Sequence, residues 1–231
     1  MATITGGEVT GGRLERADRM AVGTSTAEAI AGAAGVVLPI LGLVGVLPFW
    51  MAGIGVIVIG GGLLLEGAGL ITHYSALLSE SRRSGMEGAL PGIGGGVTVQ
   101  VLGGAAALVL GIISLRSAAP LALLGAAILS LGAAMLLGAG ATARTWALEF
   151  TGRGGATGTE QKVAEEAARS SAGAEVFSGL AAVVLGILAV AGVGTPATAL
   201  VLVLAAALAL GSSVLLEGTS LGARMVSLLT R

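Results

Sequence analysis

The chain has 231 residues, of which 55% are hydrophobic and 11% are charged, and its mean hydropathy is +0.97. A soluble domain of this length would lack the polar side chains to cover its surface, so the composition indicates a membrane protein. The net charge of −1 offers no basic surface for nucleic acid, and the absence of cysteine excludes disulfides and thiolate metal sites.

The first predicted elements are a polar segment and a membrane hairpin. Residues 1–26 contain glycines and arginines but no apolar core of a cleaved signal peptide, so we predict a cytoplasmic segment. From Ala29 to Leu65 no side chain is charged, an amide or a hydroxyl, and Pro48 lies near the midpoint. Because a bilayer core takes about 20 apolar residues per helix, this stretch predicts a helix that crosses the membrane and a second that returns.

The hairpin occurs three times in the sequence. Equivalent positions in the first helix of each copy hold a glutamate or glutamine: Glu28, Gln100 and Glu175. Equivalent positions in the second helices align as Glu66, Leu137 and Glu217. A proline marks each turn: Pro48, Pro120 and Pro196. The middle copy therefore lacks both carboxylates, which favours a site shared by the other two copies.

These repeats predict an all-α membrane protein of six transmembrane helices, arranged as three tandem helical hairpins. The hairpins cover three ranges: residues 27–79, 97–148 and 175–231. Two cytoplasmic connections join them, residues 80–96 and 149–174. Thr157 and Glu160 have the spacing of a capping box, which predicts a short helix within the second connection.

The orientation follows from the basic residues. Of the 12 lysines and arginines, all but Arg116 lie in the terminal segments, in the connections or in the helix ends beside them. The positive-inside rule therefore predicts that both termini are cytoplasmic.

Small residues form a ridge on the fourth helix, at every fourth position: Ala126, Ser130, Ala134 and Gly138. Such ridges let helices approach closely in lipid, so we predict a helix-packing surface. The sequence leaves open whether the contact is within or between subunits. The expected partners are membrane lipids and either further copies of this chain or other membrane-protein subunits.

Four glutamates are the candidates for chemistry: Glu28, Glu66, Glu175 and Glu217. The two members of each hairpin lie equally far from their turn, so each pair should lie at one depth, near the inner edge of the hydrocarbon. Three interpretations remain open. The carboxylates anchor the helices at the interface, they form a proton or cation site, or they are paired carboxylates of an enzyme.

Two helical turns farther along the second helices stand a histidine and two arginines: His73, Arg144 and Arg224. They can pair with cytoplasmic acids or with lipid phosphates. With the four glutamates they make up the candidate proton, ion or lipid-headgroup site.

No catalytic constellation is present. His73 is the only histidine, and no triad, metal-hydrolase or nucleotide-binding spacing occurs. We therefore expect no enzymatic activity, no metal site and no cofactor.

Gly-punctuated apolar helices such as Gly179–Ala189, turns with proline, and returning helices such as Leu204–Gly218 resemble the HdeD-type acid-resistance membrane protein family. The resemblance covers about residues 27 to 228. It implies a six-helix protein of the bacterial inner (plasma) membrane, linked in some members to stress or acid tolerance, with no established enzymatic activity.

Two functions are compatible with these features. The first is a non-enzymatic structural or accessory subunit, stress-related, that forms a homo-oligomer or part of a larger membrane complex. The alternative is a proton or cation translocating protein that uses Glu66 and Glu217, including a rotor-ring-like proteolipid. The turns lack the polar loop by which such rings bind a rotor stalk, which argues against a rotor-ring proteolipid.

Overall fold

The structure is a computed structural model in which all regular secondary structure of the described residues is α-helical. Its backbone is described for residues 27, 29–83, 93–152 and 158–229, and its side chains for residues 27, 29–68, 98–139 and 173–218. Six helices occur in these ranges: α1 (Ala29–Leu43), α2 (Pro48–Arg83), α3 (Ile93–Ser114), α4 (Pro120–Gly152), α5 (Gly158–Val190) and α6 (Pro196–Leu229). The prediction of an all-α chain with six helices is confirmed.

Four segments of these helices are long and apolar enough to cross a membrane: Pro48–Ala68, Pro120–Ala139, Gly173–Val190 and Pro196–Gly218. Two further apolar stretches, Ala29–Leu43 and Thr98–Ser114, are shorter. The chain is accordingly an integral membrane protein, as its composition predicts.

Each hairpin turns at its predicted proline, because α2, α4 and α6 begin at Pro48, Pro120 and Pro196. Proline is favoured at the first helical position, where its missing N–H costs no hydrogen bond. At the third turn the backbone N–H of Thr198 donates to Thr195 Oγ1 at 3.2 Å, so Thr195 is the N-cap of α6.

The helices α1 and α5 end with the same cap. Gly45 and Gly192 have φ values of 98° and 67°, a backbone conformation that favours glycine. In both turns the glycine N–H donates to the carbonyl three residues earlier, and the next N–H donates to the carbonyl five residues earlier, which is a Schellman motif. The two glycines have the same spacing as Glu28 and Glu175, so the repeat extends to the backbone geometry of the turns.

The second helices of the three hairpins form the centre of the bundle. The helices α2, α4 and α6 contact one another, and each first helix packs between two of them. Helix α3 contacts α2 and α4, and α5 contacts α4 and α6. Helix α1 lies against α2 through Ala31 and Gly62 and against α6 through Gly32 and Leu215. The result is an approximately threefold arrangement, one hairpin to each third.

The apolar core comes mainly from the central helices. Its largest fully buried members are Ile59, Leu63, Leu124, Ile128, Leu131, Met135, Leu204 and Leu210. The first helices instead expose large apolar side chains, among them Ile30, Leu102 and Phe177. Apolar side chains on the outside and in the core are what a lipid solvent favours.

Glycines bring neighbouring hairpins into backbone contact. A Cβ added at Gly60 of α2 would lie 2.9 Å from the carbonyl oxygen of Gly104 on α3. A Cβ added at Gly132 of α4 would lie 2.8 Å from the carbonyl oxygen of Gly179 on α5. The third junction, between α6 and α1, is made by Gly211 against the backbone of Gly35. In lipid such small-residue contacts are a main source of helix association.

One element differs from the sequence-based expectation. Instead of a separate short helix between residues 149 and 174, α4 continues to Gly152, and α5 runs without interruption from Gly158 to Val190. Gly173, in the middle of α5, does not end the helix. A single glycine costs about 1 kcal/mol relative to alanine, and Ala172 and Ala174 beside it are the best helix formers.

Candidate functional site: a buried carboxyl cluster

Three glutamates from three helices meet inside the bundle. Glu66 of α2, Glu175 of α5 and Glu217 of α6 each place a carboxylate oxygen within 4.8 Å of the other two. Helix α6 brings them together, because it packs on both α2 and α5. The carboxylates of the first and third hairpins thus form one shared site, hereafter the carboxyl cluster.

Polar neighbours hold the cluster in place. Gln100 Nε2 on α3 donates to Glu66 Oε1 at 3.3 Å, and Ser213 Oγ on α6 donates to Glu217 Oε1 at 3.2 Å. Among the described residues, Glu175 has no such polar neighbour; its carboxyl group lies within 4.8 Å of those of Glu66 and Glu217.

Two members of this group are almost completely buried. Glu175 is 2% exposed and Gln100 is 1% exposed. Glu175 Oε2 and Gln100 Oε1 are acceptor atoms out of reach of solvent that receive no hydrogen bond. An unsatisfied buried acceptor costs about 1–3 kcal/mol, so both oxygens would be stabilised by a proton donor or a cation. Glu66, by contrast, is only half-buried.

The charges of the cluster repel one another. Two ionised carboxylates no more than 4.8 Å apart repel each other by about 3.5 kcal/mol or more at an effective dielectric constant of about 20. Among the side chains that the structure describes, Arg116 is the only basic one. It lies in the turn just beyond Ser114, the last residue of α3, which is about 21 Å of helical rise from Gln100. Within the described part of the chain, protons or a cation must therefore compensate the carboxylates.

The candidate residues predicted from sequence divide into two groups. Glu66, Glu175 and Glu217 are brought together, whereas Glu28 lies outside the described residues. The side chains of His73, Arg144 and Arg224 are also outside the described ranges, and their pairing with acids or lipid phosphates stays a prediction.

Sequence reasoning did not include Gln100 and Ser213 among the site residues. A signal for Gln100 was present, because the repeat aligns it with Glu28 and Glu175. Nothing in the repeat marks Ser213, which is positioned by its i to i+4 spacing from Glu217.

The structure corrects one position of the repeat alignment. Leu137, aligned with Glu66 and Glu217, is 61% exposed, and the next residue, Gly138, is buried against Gln100. A Cβ added at Gly138 would lie 2.7 Å from Gln100 Cδ. One residue turns a helix by about 100°, so a shift of one position moves a side chain from the lipid face to the interior.

The ridge on α4 faces another helix of the same chain. A Cβ added at Gly103 of α3 would lie 2.9 Å from the carbonyl oxygen of Ser130 and would also meet Ala134. Ser130 Oγ donates to the carbonyl oxygen of Ala126 at 2.9 Å, so this hydroxyl is satisfied within its own helix.

Comparison of the chain with protein-family models, curated proteins and solved structures finds no match. The resemblance to the HdeD-type family therefore stays a prediction. The fold and the site define a class: a helical integral membrane protein with a buried carboxyl cluster.

Proposed function

We propose that this protein translocates protons or cations across a membrane by way of the carboxyl cluster. The convergence of Glu66, Glu175 and Glu217 is the observation that carries the proposal. The protein is non-enzymatic, since transfer of a cation between carboxylates and water requires no covalent chemistry.

Ionisable groups at membrane depth are costly and often mark ion or proton pathways. Carboxylates that only anchored helices at the interface would stand apart, each in contact with water. Here Glu175 is 2% exposed, and its carboxyl group lies within 4.8 Å of those of Glu66 and Glu217. The half-buried Glu66 offers a route by which a cation can enter the cluster.

A translocating protein must reach both sides of the bilayer, and we propose six membrane crossings with both termini in the cytoplasm. The two shorter apolar helices support the number of crossings, because α1 and α3 expose Ile30 and Leu102 as lipid-facing helices do. The near absence of basic residues at the turns, where only Arg116 occurs, supports the orientation. We place the protein in the bacterial inner membrane.

The direct test is proton and cation flux into liposomes that contain the purified protein. The double variant Glu66→Gln/Glu217→Gln keeps the size and hydrogen bonding of both side chains but removes their titratable groups. We expect flux with the wild type, no flux with the double variant, and wild-type flux with Arg116→Gln, which removes a charge far from the cluster.

Equal flux through wild type and double variant would exclude the cluster as the pathway. A wild type without flux would favour the other function, a structural or accessory subunit in a homo-oligomer or a larger membrane complex.

A further inference from the structure

We infer that the carboxyl cluster binds one divalent cation of about the size of calcium, with the side-chain oxygen of Gln100 as a fourth protein ligand. The inference rests on the proposed function, since it names the class of cation that the site takes. It revises the sequence-based expectation that the chain has no metal site.

The donor atoms select a hard cation. The three glutamates and Gln100 offer only oxygen, and the cluster contains neither histidine nor cysteine. Carboxylate and amide oxygens suit calcium, magnesium and manganese, whereas zinc and copper favour imidazole and thiolate ligands.

Gln100 supplies an observation that is independent of the acidic residues. Its side chain is 1% exposed and its amide nitrogen contacts Glu66, while its amide oxygen has no hydrogen-bond partner. Rotation of the amide about its last side-chain bond exchanges the two atoms. A cation beside Glu66 would therefore attract the oxygen, and the buried acceptor would gain a partner.

The charge of the cluster favours a divalent ion. Three ionised carboxylates at one site carry three negative charges. A divalent cation neutralises two of these charges, whereas a monovalent cation would leave two negative charges buried in the membrane.

The number of protein ligands favours a calcium-sized ion over magnesium. Three carboxylates meet within 4.8 Å of one another, and Gln100 adds an amide oxygen beside them. Calcium takes about six to eight oxygen ligands in flexible geometry, whereas magnesium gives up its water reluctantly and is usually held by only one or two carboxylates.

Calcium binding to the purified full-length protein in detergent tests the inference, by equilibrium dialysis with radioactive calcium. We expect saturable binding of one ion per chain that magnesium displaces weakly and sodium does not displace. Glu175→Gln should abolish binding, and Gln100→Leu should weaken it about tenfold or more because it removes one oxygen ligand. Ser117→Ala, at the turn, should bind as the wild type does.

Gln100→Glu provides a second variant in case Gln100→Leu does not fold, and helical circular dichroism identifies the folded variants. A carboxylate at this position keeps an oxygen ligand and adds charge, so calcium should bind at least as tightly as in the wild type. Absence of saturable binding by the wild type, or unchanged affinity in folded Gln100→Leu, would overturn the inference. So would weaker binding by Gln100→Glu.

The two proposals fail separately. Proton flux that depends on Glu66 and Glu217 without calcium binding would retain the proposed function and reject the inference. Calcium binding without flux of any cation would retain the inferred calcium site and reject the proposed translocation function.

Discussion

At the scale of single residues, the carboxyl cluster depends on two uncharged neighbours in the middle hairpin. Gln100 occupies the position that holds a glutamate in the other two hairpins, and it donates to Glu66. Gly138 leaves the space in which the side chain of Gln100 lies. The middle hairpin thus contributes a hydrogen bond to the cluster without adding a further charge.

The substitution Gly138→Ala tests this arrangement. The new methyl group would lie within 3 Å of three atoms of the Gln100 side chain, so the amide must move away from Glu66. We expect calcium affinity and cation flux to fall severalfold. Gly61→Ala is the matched control, because a Cβ there meets nothing within 4 Å. Equal effects of the two variants would mean that the position of Gln100 does not matter.

The glutamates could be predicted from the sequence because charge stands out in an apolar helix. Their convergence could not, because it depends on the rotation of each helix about its axis. The alignment of Leu137 with Glu66 shows the difficulty. It is off by one residue, which in a helix exchanges the interior for the lipid face.

At the scale of elements, the junctions between hairpins are made by backbones rather than by large side chains. At the junction of α4 and α5, Gly132 and Gly179 face each other, and each lies near the other's carbonyl oxygen. A backbone cannot rotate out of the way as a side chain can, so added volume must separate the helices.

Gly132→Ala should therefore lower the stability of the folded protein. We expect a loss of about 1–3 kcal/mol, the usual cost of overpacking, measured as a lower midpoint of thermal unfolding in detergent. The control Gly173→Ala lies in α5 where a Cβ meets nothing within 4 Å, and it should be neutral or slightly stabilising. An unfolding midpoint of Gly132→Ala equal to that of the control would show that α4 and α5 can move apart without loss of stability.

Helix starts were predictable because proline has a specific chemical reason to stand at the first helical position. Pro48, Pro120 and Pro196 each begin a helix, as their positions indicate. The continuity of α5 was not predictable from the capping-box spacing alone. A favourable start signal at Thr157 and Glu160 does not say where the helix ends, and no proline interrupts it before Val190.

At the scale of the whole molecule, the three hairpins form an approximately threefold bundle with an asymmetric site. The central helices α2, α4 and α6 are related by the repeat, but only α2 and α6 carry a glutamate at the cluster. A carboxylate from each of the three would add charge to an already repulsive site. Because the middle hairpin lacks these glutamates, the negative charge of the site is limited while the packing of the three hairpins is preserved.

The proposed orientation has a direct consequence for single cysteines introduced into this cysteine-free chain. A cysteine at Ala119 or Thr195, both at the turns, should react with a membrane-impermeant thiol reagent added to intact cells. A cysteine at Gly155, in the second connection, should react only after the cells are opened. Labelling of Gly155→Cys in intact cells would reverse the orientation.

The central claim, that three carboxyl groups share one buried site, is tested most directly by a hydrophobic carbodiimide, which modifies protonated carboxyl groups within membranes. We expect mass spectrometry to find at most one adduct per chain, distributed among Glu66, Glu175 and Glu217, because one bulky adduct fills the cluster. Calcium should suppress the reaction by displacing protons from the shared ligands. Two or three adducts on the same chain, formed at rates that calcium does not change, would show that the glutamates are separate and would contradict the account.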